Sequence, residues 1–595
     1  MATVKRGRST DKAVNSFMSN EIWIIEAPGK RRYLEQSLKS MGRDAFVICT
    51  GGHLFRYPQR EKGKPAPVVI DKNFNDFGRV PLDIKVLARI RQAVRLCPTV
   101  IVATDADSEG DVIAWDVAEL IKDLTTDIVR VPLKGMDVGS IKEAILTQKP
   151  VDQADAVPGR TRRIIDWLIG SAFSDRGVPV GRIGTAVLGM IDAERPTTLT
   201  IRLAAPASDG GSPWIAQAPV KGDISEETAR KIITLDLPAL SPFATLEKTF
   251  KPSHMGNIMI EAAETLGLTP SQTAQAMQAS YEAARLSYPR SSSNGVSRAA
   301  ALKMKSAMAK AGRRADITLL TTKKQSDTHD SPYPIGDINL ALDPTKMSTE
   351  EGTRALIARS IARASMRHKY QKAKGELVEK YLLGKGIPAP AARAIGSLEW
   401  SRDLGNTIPG QKRWVHSEIY HRRADVVLLE VALNYDLGKP STWGAHIESF
   451  LSKGLAGDDL SLTTKGLDWI KRSPEGLLRP HLSAQIEKAC ETVTPDLFKK
   501  PGRTPWQTSV AKILRDLPLD MADKMRATVA RHPVQASEDF RGEADKVQSL
   551  TSKEDTAALT RRTKGVAPIT SSGMPSSLPD YPSEKDTPSV LGLSL

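Results

Sequence analysis

Cysteine is scarce in this sequence. Only Cys49, Cys97 and Cys490 occur among 595 residues, and they lie far apart. Three separated thiols exclude a disulfide framework, and they exclude the zinc ribbons and fingers that need clustered cysteine ligands. We therefore expect a reduced, intracellular protein without structural zinc modules.

Long apolar runs are missing as well. No stretch of about 18 apolar residues occurs, so the sequence predicts no membrane-spanning helix. The first 20 residues are basic and polar, and they lack the apolar segment of a secretory signal. We expect these residues to form a loose arm, and we expect no membrane partner.

Positive charge is in excess. Lys and Arg number 84 against 69 Asp and Glu, which gives a net charge of +15. This balance favours a polyanionic partner such as nucleic acid. The length predicts roughly three to five domains. The Pro- and Ser-rich residues 566–595 predict a disordered tail.

The first part of the chain alternates between strand and helix patterns. Apolar runs at 22–25, 47–49 and 99–104 predict strands, and an amphipathic helix is predicted after the last of them. The run at 99–104 is typical of a strand that is buried on both faces. Residues 20–150 are thus predicted to form an α/β unit with a mainly parallel sheet, and the pattern beyond residue 159 is largely helical.

Acidic residues cluster where the third predicted strand ends. Asp105, Asp107 and Glu109 follow it at intervals of two, and Glu26 ends a different strand. Open α/β sheets place their sites at this edge, where converging carboxylates bind a hard cation such as Mg²⁺. The alternative is a solvated acidic loop that caps the next helix. The residues alone leave both interpretations open.

A second candidate site is the loop that contains Tyr288 and Arg290. A tyrosine oxygen can take over the phosphate of a phosphodiester as an ester, and a nearby guanidinium can hold that phosphate. The alternative is that Tyr288 packs this loop against a helix, as most tyrosines do. The segment alone does not overturn that alternative.

An arginine repeat follows further along the chain. Arg359, Arg363 and Arg367 recur every four residues, which predicts three cations on one helix face. Such a face either contacts a nucleic-acid backbone or is an ordinary solvated surface.

Several segments resemble, in order, the motifs of type IA DNA topoisomerases. Glu26 with the segment from Asp105 to Gly110 is similar to the Toprim domain, and the segment from Tyr288 to Arg290 resembles the active-site Tyr-x-Arg. The other matches are Glu26 to Lys30, Gly52-His53-Leu54, Ile113 to Trp115, Arg162-Arg163 with Asp166, Gly181-Arg182-Ile183, His329, Lys439 to Thr442 and Leu462 to Gly466. They cover residues 20–495, and their common order makes chance a poor explanation.

The resemblance implies a multidomain α/β plus α fold, in which a Toprim α/β domain joins a toroidal core of mostly helical domains and a β-rich arch. The implied parts are a basic N-terminal arm (1–20), the Toprim domain (21–150), a helical base domain that binds single-stranded DNA (151–199 and 436–500), the β-rich arch or hinge (200–240 and 375–435), the domain that carries the active-site tyrosine (241–374), a C-terminal extension (501–565) and the tail (566–595). The C-terminal zinc fingers of many relatives are absent, as the cysteine count requires.

The resemblance also implies roles for individual residues. The catalytic residues would be Tyr288 as nucleophile, Arg290 and Lys30 as phosphate stabilisers, Glu26 as proton donor to the leaving oxygen and His329 as the residue that orients the phosphate. The Mg²⁺ ligands would be Glu26, Asp105, Asp107 and Glu109. The DNA contacts would be His53, Arg162, Arg163, Asp166, Arg182, Lys439, Ser441 and Thr442.

The implied activity is ATP-independent cleavage of one DNA strand through a transient 5′-phosphotyrosine, strand passage and resealing, which relaxes negative supercoils or decatenates DNA. No Gly-x-x-x-x-Gly-Lys-Ser/Thr loop occurs, in agreement with strand passage without ATP. We expect a cytoplasmic, nucleoid-associated monomer encoded by a bacterium, a plasmid or a phage. The alternatives are another Toprim enzyme (a primase or nuclease) and a single-stranded-DNA-binding scaffold with impaired catalysis.

The sequence departs from the family pattern at five positions. The family commonly has an arginine at Ser108, a glutamate at Asp111, a glutamine at Gly184, an acidic residue at Ser292 and an arginine at Tyr333. None of these positions is the nucleophile, its arginine or a metal carboxylate. We expect effects on the rate, the metal affinity and the DNA-sequence preference.

Overall fold

The computed structural model describes residues 21–58, 69–97, 99–175, 178–321, 329–404 and 414–530. The predicted N-terminal arm, the predicted tail and residues 531–565 of the predicted extension lie outside these ranges. Within the described ranges, no helix is long and apolar enough to cross a membrane.

The first unit is a five-stranded sheet with helices on both faces. Its strands are β1 (Glu21–Ile25), β2 (Ala45–Cys49), β5 (Thr99–Val102), β6 (Ile128–Arg130) and β7 (Lys149–Pro150). Strands β3 (Phe55–Arg56) and β4 (Val80–Pro81) form a separate two-stranded ribbon. The sheet order is β2-β1-β5-β6-β7, and all pairs are parallel except that of β6 with β7. The helices are α1 (Arg31–Ser40), α2 (Ile84–Leu96), α3 (Ser108–Ile121) and α4 (Val138–Leu146).

Strand β1 lies between β2 and β5 in this sheet and contributes to two hydrophobic cores. Trp23 and Ile25 pack into one cluster, whereas Ile22 and Ile24 pack into another on the opposite face. Both faces are buried because helices cover each side of a parallel sheet. The predicted α/β unit with a mainly parallel sheet is thus confirmed. Since β1 and β5 are parallel neighbours, they end at the same edge.

A second sheet forms a β-rich unit with its own core. Its strands are β8 (Leu199–Ala205), β9 (Trp214–Pro219), β10 (Pro242–Thr249), β11 (Arg367–Ala373), β12 (Trp400–Asp403) and β13 (Glu418–His421), in the order β10-β11-β12-β9-β8-β13. All pairs are antiparallel, and the core beneath contains Trp214 and Trp400. The β10–β11 pair continues this sheet beyond the limits predicted for the arch.

The other α-helices of the described ranges lie after residue 150. They are α5 (Gln153–Phe173), α6 (Arg182–Glu194), α7 (Glu226–Ile233), α8 (Met255–Leu266), α9 (Pro270–Glu282), α10 (Arg298–Lys310), α11 (Ile317–Leu320), α12 (Thr349–Ala364), α13 (Glu376–Gly384), α14 (Ala389–Gly396), α15 (Ala424–Asn434), α16 (Trp443–Ser452), α17 (Thr464–Arg472), α18 (Glu475–Leu478), α19 (Pro480–Glu491), α20 (Pro505–Asp516) and α21 (Leu519–Ala530). Helices α20 and α21 pack in the largest core through residues such as Trp506 and Met525. No motif had indicated that this part of the chain is central to the fold.

The predicted arginine face on one helix is wrong. Helix α12 ends at Ala364, and Arg367 begins strand β11. Arg359 is buried and donates a hydrogen bond to the carbonyl oxygen of Leu342 at 2.6 Å. The helix is too short to carry all three cations, and one of them serves the packing of a neighbouring loop.

A buried ion network connects the Toprim-like unit to helix α5. Arg160 of α5 donates to Asp76 at 2.7 and 2.9 Å and to Asp116 at 3.0 Å. Arg79 donates to Asp116 at 2.8 Å, and the Arg160 guanidinium lies 4.7 Å from the ring centre of Trp506 in α20. Two arginines balance two aspartates, so this cluster is close to neutral although it is buried.

Candidate active site

Two acidic residues meet at the edge where β1 and β5 end. Glu26 follows β1, and Asp105 follows β5 after a short turn. Lys30 donates a hydrogen bond to Asp105, and both side chains are buried. Glu26 Oε2 and Asp105 Oδ2 are also buried, and neither has a hydrogen-bond partner among the described residues. The structure therefore brings these predicted site residues together and leaves two carboxylate oxygens unused.

A buried arginine holds the acidic loop in place. Arg130, in β6, donates to the carbonyl oxygens of Thr104 at 2.8 Å and Asp105 at 2.6 Å. It also donates to the Asp111 carboxylate at 3.0 Å, so the aspartate that replaces the family's glutamate has a defined partner. No motif in the sequence identified Arg130. Its position within a short apolar strand was the one sign that this arginine is buried.

Tyr288 lies against this acidic loop. Its backbone N–H donates to the Lys134 carbonyl oxygen at 2.9 Å, and its phenol O–H donates to Asp107 Oδ2. Asp107 is also the N-cap of α3 and accepts the Gly110 N–H at 2.7 Å. The ring of Tyr288 is only 3% exposed. The predicted nucleophile thus contacts a predicted metal ligand directly.

Two aromatic side chains pack against the Tyr288 ring. The His329 ring centre lies 4.8 Å away, as expected for a residue predicted to act beside the nucleophile. Tyr281 packs edge-on at 5.5 Å, and its hydroxyl lies 3.4 Å from Asp105 Oδ1. Lys30 Nζ lies 4.7 Å from the centre of the Tyr281 ring. Tyr281 was not predicted, because nothing in the sequence distinguishes it from a core tyrosine.

Burial and like charges set the protonation of this site. Burial and the negative charges of Asp107 and Asp105 raise the pKa of Tyr288 well above its ordinary value of 10. Burial and the negative charge of Asp105 raise the pKa of Glu26 to about 7. The metal-free protein therefore holds a neutral phenol beside a glutamate that is partly protonated at neutral pH.

The raised pKa of Glu26 predicts a pH-dependent contribution to stability. Because it lies above the ordinary value of 4.5, Glu26 contributes most below pH 4.5, and this contribution is lost as the pH rises through about 7. The melting temperature of the wild type in EDTA, relative to that of Glu26→Gln, should fall between about pH 5 and pH 8. A difference that does not change with pH would contradict this assignment.

The acidic edge fits Mg²⁺ without forming a closed metal cage. No three His, Cys, Asp or Glu side chains in the described ranges are arranged to hold a metal ion. Mg²⁺, however, usually retains water and needs only one or two carboxylates together with phosphate oxygens. The unused oxygens of Glu26 and Asp105 provide such ligands, and Asp107 lies next to them in the loop.

Glu109, the fourth predicted metal ligand, accepts hydrogen bonds from two arginines and a histidine. Its carboxylate accepts hydrogen bonds from His53 Nε2 at 2.9 Å, Arg162 at 3.0 Å and Arg163 at 3.2 Å. Burial alone would raise the pKa of Glu109. The hydrogen bond from His53 and the two arginine charges outweigh that effect and lower the pKa to about 2.

A glycine allows the two arginines to reach Glu109. A Cβ at Gly159 of α5 would lie 2.5 Å from the Val112 side chain and 2.8 Å from the Ser108 carbonyl oxygen. Because glycine has no Cβ, α5 can lie directly against α3. Arg162 and Arg163 follow one turn later and therefore lie beside the first turn of α3.

A cavity of about 660 Å³ opens beside this site. All eight of the predicted DNA contacts line it together with Glu26, Arg290 and Glu109, namely His53, Arg162, Arg163, Asp166, Arg182, Lys439, Ser441 and Thr442. The structure thus brings residues from distant parts of the chain to one concave surface. Such a positively charged concavity fits a nucleic-acid backbone.

Two arginines of this cavity bind the same buried glutamate, which no sequence motif had identified. Glu487 of α19 binds Arg162 at 2.9 Å and Arg182 at 2.7 Å, and Lys439 lies 3.5 Å away. Asp166 accepts from Arg182 at 2.9 Å, as a partner of the predicted arginine. Glu487 carries no motif in the sequence, because its function depends on residues that lie hundreds of positions away.

Besides Asp111, three more of the departures from the family pattern can be placed in the structure. The Ser108 hydroxyl lies 3.4 Å from Arg162, which supplies a cation next to this position. Tyr333 exchanges hydrogen bonds of 2.9 Å with Ser287 through its backbone, so its side chain is not needed for that contact. A Cβ at Gly184 would meet no atom within 4 Å, and the cavity wall is open there.

Comparisons with known proteins agree with these features. Residues 21–134 match the Toprim domain family. A plasmid DNA topoisomerase I of Xylella fastidiosa is 24% identical over 307 residues, which are 47% of this chain and 45% of that protein. DNA topoisomerase 1 of Campylobacter jejuni is 25% identical over 182 residues, which are 29% of this chain and 25% of that protein. The chain spans less than half the length of these curated relatives.

A solved structure extends the likeness to most of the fold. Full-length topoisomerase I from Thermotoga maritima matches with a TM-score of 0.57 at 17% sequence identity, covering 86% of this chain and 91% of that chain. This likeness confirms the predicted fold class. The Toprim match and the curated relatives named DNA topoisomerase agree with the resemblance to type IA topoisomerases that the order of the motifs had predicted.

Proposed function

We propose that this protein is a type IA DNA topoisomerase that cleaves and reseals one DNA strand through Tyr288 without ATP. The observation that carries the proposal is the hydrogen bond between the Tyr288 phenol and Asp107, at the edge where Glu26 and Lys30 also lie. A primase or a hydrolytic nuclease needs no tyrosine at this place. The cation-lined cavity beside the tyrosine supports a single DNA strand as substrate.

Cleavage begins when the Tyr288 oxygen attacks a backbone phosphorus. The phenol proton passes to Asp107, which already accepts its hydrogen bond. The new bond joins phosphorus to the tyrosine oxygen, and the bond from phosphorus to the 3′ oxygen breaks. Arg290, which lines the cavity together with Glu26, neutralises the charge that develops on the phosphate.

The leaving 3′ oxygen receives its proton from Glu26. A pKa of about 7 keeps a large fraction of this carboxyl group protonated at neutral pH, so it can act as a general acid. Resealing reverses each transfer, because the phosphotyrosine retains the bond of the original phosphodiester. Lys30, paired with Asp105, supplies a second positive charge at the site.

Bound Mg²⁺ would supply positive charge that orients the strand's phosphates for resealing. Glu26, Asp105 and Asp107 are the residues that would hold it. His329 packs against the ring of Tyr288, where it would orient the scissile phosphate beside the nucleophile.

The decisive experiment uses a negatively supercoiled plasmid with Mg²⁺ and without ATP. We expect the wild type to relax it in single steps, as read on an agarose gel. A scaffold with impaired catalysis would bind single strands and leave the plasmid supercoiled. Hydrolysis without resealing, or polymerisation from nucleotides, would instead support a nuclease or a primase. A parallel assay with catenated circles determines whether decatenation is the preferred reaction.

Arg290→Ala should slow strand cleavage by about 10²-fold, because one preorganised cation no longer stabilises the transition state. The rate is measured in single turnover with a labelled oligonucleotide. Arg285→Ala is the matched control, since Arg285 lies in the same segment but pairs with Glu351 at 2.5 Å. Equal losses in both variants would show that Arg290 has no special role.

A further inference from the structure

We propose that Glu109 occupies, in the DNA-free protein, the place of one backbone phosphate between His53, Arg162 and Arg163, which the resemblance gives as DNA contacts, and that its carboxylate competes with the DNA strand for them. The inference rests on the proposed function and deepens it, because one carboxylate of the acidic motif would compete with the substrate for the cations of the cavity. Glu109 would then limit strand binding before any metal is involved.

The geometry is that of an anion site. His53 lies in the loop after β2, whereas Arg162 and Arg163 lie in α5, and all three donate to the Glu109 carboxylate within 3.2 Å. Two arginines and a histidine around one anionic group form the pattern that proteins use for phosphate. The group at the centre is the protein's own carboxylate.

The donors around Glu109 exceed what its carboxylate accepts. The second terminal nitrogen of Arg162 is buried and has no hydrogen-bond partner among the described residues. A buried donor without an acceptor is costly. A phosphate offers more acceptor positions than a carboxylate, so it can use the spare donor of Arg162.

Glu109 can be displaced, whereas Glu487, the other glutamate that binds Arg162, is fixed. The Glu109 side chain is 29% exposed and lies at the cavity wall. The Glu487 side chain is only 7% exposed and binds its arginines from within the protein. Its carboxylate uses the same three donors that a phosphate would use, so the two compete for this site. Two ligands that share one site weaken each other's binding.

The test measures binding of a fluorescein-labelled single-stranded oligonucleotide by anisotropy in EDTA, so that a role of Glu109 as a metal ligand has no influence. Glu109→Gln should bind about tenfold more tightly than the wild type, because the competing charge is gone. The salt dependence of its binding should be steeper, because its arginines then hold exchangeable solution anions.

Glu491→Gln is the matched control. Glu491 pairs with Lys439 at the same cavity and is 47% exposed, so the variant changes the local charge equally but leaves the proposed site closed. We expect a much smaller gain in affinity. Equal gains in both variants would overturn the proposal in favour of general electrostatics, and so would an unchanged or weaker affinity of Glu109→Gln.

A second variant covers the case in which Glu109→Gln does not fold, which its thermal melting curve would reveal. Arg163→Gln removes one donor and should lower the salt slope by about one. An unchanged slope would overturn the phosphate site. Plasmid relaxation by the wild type is measured separately. If the wild type relaxes the plasmid but the variants show none of these effects, only this inference is wrong and the proposed function stands. A wild type that binds no single strand would count against the proposed function as well.

Discussion

Tyr288→Phe is expected to abolish strand cleavage and plasmid relaxation, with a loss on the order of 10⁶-fold, as when a nucleophile is removed from another covalent catalyst. Phenylalanine has no oxygen that could form the ester with phosphorus. It retains the ring that packs against Tyr281 and His329, so the fold should be preserved. DNA binding should remain, since the cations of the cavity are unchanged.

The measurement is denaturant trapping of the covalent complex between protein and labelled DNA. Wild type should yield an adduct on a denaturing gel, and Tyr288→Phe should yield none. Tyr281→Phe is the matched control, because the Tyr281 hydroxyl also faces the acidic loop at 3.4 Å from Asp105. An adduct that persists in Tyr288→Phe, or that disappears only in Tyr281→Phe, would assign the nucleophile to another residue.

Arg160→Ala is expected to lower the free energy of unfolding by about 3–5 kcal/mol. The substitution leaves Asp76 and Asp116 buried with Arg79 as their only remaining cation in the network. It also removes the guanidinium that packs on the Trp506 ring. The contact between the Toprim-like unit, α5 and the C-terminal helices would therefore weaken at one point.

Urea denaturation followed by circular dichroism measures this change. Arg472→Ala provides the control, because Arg472 binds Asp175 and Asp468 at the surface with a side chain that is 36% exposed. Exposed ion pairs contribute about 0–1 kcal/mol, so its loss should be small. Similar losses in both variants would mean that the buried network contributes no more than a surface pair.

The confirmed prediction depends on short apolar segments of the sequence, whereas the incorrect prediction depends on where a helix ends. The parallel sheet was predictable because β1 and β5 are short apolar runs, and a sheet edge follows from their parallel pairing. The arginine repeat failed, because periodicity does not show where a helix ends. Helix α12 ends at Ala364, and Arg367 belongs to a strand.

In the candidate site, the sequence identifies some residues but not the partners of others. Glu26, Asp105 and Tyr288 were identified by their residue types and their place in ordered motifs, and the structure brings all three together. The partners of Glu109 could not be predicted in the same way. Arg162 lies 53 positions along the chain from Glu109, and 325 positions separate it from Glu487.

The sequence by itself determined the chemistry that is present: a nucleophilic tyrosine, carboxylates at strand ends, an excess of cations and no cysteine-based zinc module. Only the tertiary structure decided which charges neutralise one another. It pairs Glu109 with two arginines and a histidine, and Asp107 with Tyr288. It also places Glu487 beside the arginines of the cavity wall. The physical reason is that ion pairing depends on distance and burial, and helix packing sets both.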